Sequence, residues 1–160
     1  MIGHPPLTSL FRTYGNLTCE PYYAGGYCQD ILQVYPYVVT NFSRSDQVYA
    51  RGSLDRIIET LFAFRASSEC IRAAIPLLCR YSFPTCDPAF GIPVYQPICR
   101  RGCEIVRDYL CKEPWQQMLE LINILNLDVI DQPACEPLKY VNGGDAPMCI
   151  DTLDGGQLGI

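Results

Sequence analysis

Ala74-Ile75-Pro76-Leu77-Leu78-Cys79-Arg80-Tyr81-Ser82-Phe83-Pro84-Thr85-Cys86-Asp87 carries a helical apolar pattern into a proline-bounded turn, with a cysteine at each end of the transition. The pattern predicts a helix starting near Ser68, with Glu69 well placed against its N-terminal dipole. Ile71, Ile75, Leu78 and Cys79 then share one predicted inner face. Pro76 lies inside that pattern and predicts a kink or a break. Pro84, Pro88, Pro93 and Pro97 punctuate the loop that follows.

Cys79 and Cys86 are two of ten cysteines in 160 residues: Cys19, Cys28, Cys70, Cys79, Cys86, Cys99, Cys103, Cys111, Cys135 and Cys149. No pair has the C-x2-C spacing of a zinc knuckle or a thioredoxin-like redox site. The single histidine, His4, sits in a predicted N-terminal lead-in. An even count without metal spacing reads as a disulfide framework made in an oxidising compartment. The sequons Asn16-Leu17-Thr18 and Asn41-Phe42-Ser43 agree with that compartment and predict glycans on Asn16 and Asn41. No secretory leader follows Met1 and no apolar run is long enough to span a bilayer, so the chain reads as an ectodomain fragment.

Composition narrows the function classes. Apolar residues make up 49% of the chain, enough for a core. The formal net charge is -5, which argues against nucleic acid and anionic lipid headgroups as partners. Lysine occurs only at Lys112 and Lys139, so the remaining cations are arginines, suited to fixed hydrogen-bonded pairs.

Further elements flank the central stretch. Residues 1–18 read as a lead-in, 19–149 as one domain and 150–160 as a C-terminal linker. Val34 to Val39 predicts a short strand that Pro36 would confine to an edge or bulge. Ser53 predicts an N-cap for a helix over 54–64, with Leu54, Ile57, Ile58, Leu61 and Phe62 on one face. A third helix is expected from about Pro97 to Cys111, and a fourth with Pro114 as its first residue. In the fourth, Trp115, Met118, Leu119, Ile122 and Leu125 make one stripe, while Leu121, Ile124, Leu127, Val129 and Ile130 lie off it. A segment apolar nearly all round predicts burial on more than one side. The fold class expected is mostly α and disulfide-rich, with about four helices, a short β-hairpin or edge strand and five disulfides.

Nothing in the chain asks for catalysis. His4 is badly placed as a base, and no nucleophile-elbow, metalloprotease, P-loop or dinucleotide fingerprint occurs. The carboxylate pairs Asp128/Asp131 and Glu113/Glu120 read as solvated helix faces. Thiol-disulfide catalysis lacks its paired spacing. No cofactor or metal is expected; a fatty acid is the candidate bound molecule.

The cysteine order and intervening residues resemble the Frizzled cysteine-rich domain, most of all the version in ROR and MuSK receptor tyrosine kinases. Cys19-Glu20-Pro21-Tyr22 followed by Cys28 looks like the family's opening pair. Residues 74–87 are similar to the central segment, and Pro97-Ile98-Cys99-Arg100-Arg101-Gly102-Cys103-Glu104 through Leu110-Cys111 to the helix after it. Spacing alone leaves roughly 945 complete pairings open. The resemblance implies one: Cys19–Cys86, Cys28–Cys79, Cys70–Cys111, Cys99–Cys149 and Cys103–Cys135. It also implies a ligand-binding module on the extracellular side of the plasma membrane, within a full-length membrane-anchored receptor kinase. The implied partner is a Wnt-type lipidated protein or a co-receptor.

By position relative to Cys70 and Cys79, Leu61, Phe62, Phe64, Tyr81 and Phe83 correspond to the Frizzled acyl groove. The excess of apolar faces adds Ile57, Ile58, Met118, Leu119 and Ile122 as candidate lipid contacts. One departure from the family is a longer, aliphatic-rich stretch between Cys111 and Cys135. It would either wall a closed cavity for an acyl chain or fill the groove with protein. An adhesion or dimerisation module without lipid is the competing reading.

Overall fold

A computed structural model describes residues 18–33, 36–40, 47–86, 95–96, 98–125, 135–136, 149–154 and 157–159. His4, Asn16, Asn41, Asp128, Asp131 and the aliphatics Leu127, Val129 and Ile130 lie outside them. Four short antiparallel strands form one sheet in the order β1-β2-β3-β4: β1 Thr18–Pro21, β2 Tyr37–Thr40, β3 Thr85–Cys86 and β4 Tyr95–Gln96. The helices are α1 Gln47–Ala63, α2 Ser68–Ser82, α3 Arg100–Ile105 and α4 Lys112–Leu125. Single 3-10 turns at Gly26–Cys28 and Ile31–Gln33 bridge β1 to β2. At the C-terminal end, β5 Cys149–Asp151 pairs with β6 Gln157–Gly159 in a second, two-stranded ladder.

Helix α2 is the spine. Ser67 caps it, its hydroxyl accepting from the Cys70 amide at 3.1 Å. The helix runs through Pro76 without a break. Proline removes one hydrogen bond there, but disulfides hold the helix on both sides, at Cys70 and at Cys79. The buried face includes Cys70, Ala74, Leu77, Leu78, Cys79 and Tyr81, so Leu78 and Cys79 are core as predicted, while Ile71 and Ile75 are only half-buried. The inner face is thus turned by about one residue from the predicted one. α1 and the Gly26–Cys28 turn pack on one side of α2, and the segment after α3 on another.

Helix α1 starts six residues before the predicted N-cap. Ser53 is buried inside it, because Ala50 and Gln47 extend the buried stripe of Leu54, Ile57, Ile58 and Leu61. Gln47 is fully buried and clamps the end of β1. Its Nε2 donates to Glu20 Oε1 at 2.7 Å and to the Pro21 carbonyl at 3.1 Å, and its Oε1 accepts from the Tyr23 amide.

Three more expectations change. The third helix begins at Arg100 and widens into a π-helical stretch at Val106–Leu110 before Cys111; Pro97 lies outside the described residues. The fourth begins at Lys112, so Pro114 is its third residue, still within the turn whose amides need no helical partner. α4 is amphipathic rather than buried all round: Trp115, Met118 and Ile122 are core, Leu121 is half-buried and Ile124 is 76% exposed. β2 lies between β1 and β3 and is no edge strand; Pro36 precedes it and offers only its carbonyl, which accepts from the Tyr22 amide at 2.8 Å.

Five disulfides close the structure: Cys19–Cys86, Cys28–Cys79, Cys70–Cys111, Cys99–Cys149 and Cys103–Cys135. They are the five pairs that the resemblance implies, and no cysteine is free. Ile150 is fully buried and its carbonyl accepts from the Cys99 amide at 2.9 Å, so β5 is part of the core.

Candidate functional site

The segment from Tyr22 to Cys28 lies along α1 and is fixed to it at several points. The Tyr23 amide meets Gln47, and the Tyr27 amide reaches Asp55 Oδ1 at 3.4 Å. Between them, Gly25 and Gly26 adopt φ of 75° and 71°, which L-residues bearing a Cβ resist. Gly26 also sits hard against α1: a Cβ there would stand 2.7 Å from Asp55 Oδ2. Asp55 pairs with Arg51 one turn back on α1, at 3.1 Å.

This contact builds an aromatic rim. Phe62, near the C-terminal end of α1, is 48% exposed and stacks on Tyr27 with ring centroids 6.2 Å apart. Tyr23 and Tyr49 are exposed as well. Beneath the rim, the Tyr22 hydroxyl donates to the Gly25 carbonyl at 2.6 Å, and its ring meets the buried Phe83 edge-on at 5.0 Å.

Burial, and then the nearby Asp55 carboxylate, push the Tyr22 hydroxyl up to about 12 from an ordinary 10.0, against a smaller lowering by Arg51. Folding therefore favours the protonated phenol. That contribution is complete below pH 10 and is lost as the pH rises from 10 towards 12. Absorbance titration at 295 nm should show a late phase that belongs to Tyr22, and urea stability should fall across the same interval. A Tyr22→Phe variant should lose the late phase and that part of the pH dependence. An unchanged titration in the variant would assign the late phase elsewhere.

The candidate lipid contacts divide into two groups. Ile57, Ile58, Leu61, Tyr81, Phe83, Met118 and Ile122 come together in the main core cluster, with Leu119 packed against it. Phe62 is apart from them on the rim, and Phe64 is half-buried just beyond α1. α1 packs on α4, so Ile57, Ile58 and Leu61 share a core seam with Met118 and Ile122. Neither α1 nor α4 contains a half-cystine, whereas α2, α3, β1, β3 and β5 each carry at least one.

Two arginines pin other parts of the framework. Arg80 is buried on α2; its guanidinium donates to Thr85 Oγ1 at 2.7 Å and to the Ile31 carbonyl at 3.1 Å. Arg107, on the π-helical stretch, holds Asp108 and Glu136 and keeps both carboxyls below the usual range, chiefly through its hydrogen bonds. Glu136 thus fixes the chain beside Cys135, where the bridge to Cys103 lies. Sequence reasoning assigned no role to Tyr22, Tyr23, Tyr27, Gln47 or Arg80; the tyrosine-rich run after Cys19 was the available signal.

Among the described residues, no cluster of three or more His, Cys, Asp or Glu side chains could hold a metal ion, and no helix is long and apolar enough to cross a membrane. The family model for the Fz domain matches residues 19–142.

Proposed function

The chain belongs to the Fz domain family, a cysteine-rich, non-catalytic, extracellular ligand-binding module, and on that premise we propose that it is the ligand-recognition domain of a membrane-anchored receptor tyrosine kinase of the ROR and MuSK class. Its partner is a Wnt-type lipidated protein, with the acyl chain entering between α1 and α4. Fatty acid is the free form of the same ligand chemistry. Asn16 and Asn41 carry N-glycans in this reading.

One observation carries the proposal: the α1–α4 seam is apolar and is bridged by no disulfide. α2 is stapled to the start of α4 through Cys70–Cys111, whereas α1 carries no half-cystine on any of its faces. At the seam only side-chain packing must yield. An acyl chain repays that loss at roughly 0.8 kcal/mol per buried methylene, before the cost of association. The exposed Tyr27–Phe62 stack at the border of α1 offers a rim for the protein part of the ligand, where aromatic anchors contribute most.

The test compares an acylated Wnt-type protein with its enzymatically deacylated form on the immobilised domain. Binding should fall at least roughly ten-fold on deacylation, and Phe62→Ala should weaken both forms alike. Equal affinity for the two forms would favour docking through protein contacts alone. Absence of binding by either form would favour the adhesion reading.

A further inference from the structure

Trp115 is the chain's single tryptophan and is fully buried near the start of α4. With Met118 and Ile122 it forms the buried stripe of that helix. The stripe belongs to the same core cluster as Ile57, Ile58 and Leu61 of α1, and α1 packs on α4. Trp115 therefore stands at one end of the row that α4 contributes to the seam. Ile122 lies roughly 10 Å further along the helix axis.

An indole has one polar atom, the Nε1–H, and it can only donate. Among the described residues, the Nε1–H of Trp115 has no acceptor. Buried tryptophans ordinarily find a partner for this hydrogen, and a native group without one calls for an explanation. The side chains of Ile57, Ile58, Leu61, Met118 and Ile122 hold no oxygen or nitrogen, so they offer it none. A trapped water would be poorly held among them, since it needs several polar partners. One carbonyl oxygen on a ligand would satisfy the donor.

The donor's backbone is fixed from outside the seam. Cys111, directly before α4, is bridged to Cys70 on α2, and its carbonyl accepts from the Trp115 amide at 2.7 Å. The helix end that carries the indole is thus tied to α2, whatever packing yields between α1 and α4. Such preorganisation lowers the cost of making a contact.

We infer that the Trp115 indole N–H is the polar anchor of the α1–α4 seam, donating to the carbonyl oxygen of the bound acyl group while the hydrocarbon runs past Met118 towards Ile122. The same oxygen is present in a protein-linked acyl ester and in a free fatty acid. The anchor rests on the acyl reading of the seam and goes beyond it. Apolar surface alone accepts any hydrocarbon, whereas an anchor distinguishes an acyl group from an alkane of equal length.

The experiment uses the domain made in secretory cells, stripped of lipid and labelled with nitrogen-15 at its one tryptophan. Palmitic acid, methyl palmitate and hexadecane are delivered from cyclodextrin, with tritiated forms to measure affinity. The acid and the ester should move the single indole proton resonance downfield, and hexadecane should not. Trp115→Phe should bind the acid and the ester about ten-fold more weakly and hexadecane as before. Retained hexadecane binding shows that the variant is folded; if it is lost, the indole resonance of the unsubstituted domain decides alone. A downfield shift with the ester only assigns the site to protein-linked acyl groups, and with the acid only to free fatty acids. Undiminished binding of acid and ester by Trp115→Phe, or an indole resonance that responds to all three probes alike, would overturn the anchor and leave the seam reading standing. Failure of all three to bind would overturn the seam reading and the anchor with it.

Discussion

Cys28→Ser is expected to lower the stability of the oxidised domain by about 4 kcal/mol, the chain-entropy value for a bridge spanning 51 residues. Cys28 joins the Gly26–Cys28 turn to α2, and both of its sulfurs are fully buried. The same bridge holds the base of the Tyr22–Cys28 segment that carries Tyr27 to Phe62. Cys79→Ser should therefore cost about as much, and the double variant no more than either single change, because all three remove one bridge. Urea unfolding of the secreted variants measures this. A double variant whose loss equals the sum of the singles would break the pairing.

Trp115 gives the second large effect. It is fully buried at the start of α4, and among the described residues its indole Nε1 has no hydrogen-bond partner. Trp115→Ala should cost about 3–5 kcal/mol, from lost burial and the space left behind. Trp115→Phe should cost much less. It keeps most of the ring in place and removes a buried donor whose lack of a partner already costs about 1–3 kcal/mol. Thermal and urea unfolding of the two variants should differ widely. Similar losses in both would mean that the indole N–H is satisfied in solution.

The two tryptophan variants also show which parts of this fold the sequence makes legible. Trp115, Met118 and Ile122 are spaced for a helix, and they are the buried stripe of α4. The same reasoning put Ile124 indoors, yet it is exposed, because hydropathy reports what a side chain tolerates and not which neighbours reach it. Ser53 shows the converse error. A serine before an apolar run looks like a cap, but its backbone is already helical when Gln47 starts the turn earlier. Pro76 looked like a breaker because local propensity was read without the two disulfides that flank it. The disulfide pairing itself came through family likeness, since spacing left it open. Arg80 and Tyr22 were hidden for a different reason. A buried arginine is stable only where tertiary acceptors exist, here the Ile31 carbonyl and Thr85, and no local pattern foretells them. Tyr22 acquires its environment from Phe83, Asp55 and Gly25, which are distant from one another in sequence.

The candidate site was legible in part for the same reason. Apolar periodicity singled out Ile57, Ile58 and Leu61 on one helix and Met118 and Ile122 on another, and they share one core. Phe62 followed the same period but lies on the rim, since the buried arc of α1 ends at Ile58 and Leu61. That the two helices are free of half-cystines emerges only once the element boundaries are known.

Mass spectrometry of organic extracts from the domain made in secretory cells tests the α1–α4 seam most directly. The account predicts a long-chain fatty acid at about one equivalent per protein, lost when Ile122→Trp fills the seam while the domain still folds. No extractable acyl chain, no uptake of added fatty acid, and a loss of about 1–3 kcal/mol of stability in Ile122→Trp would contradict it.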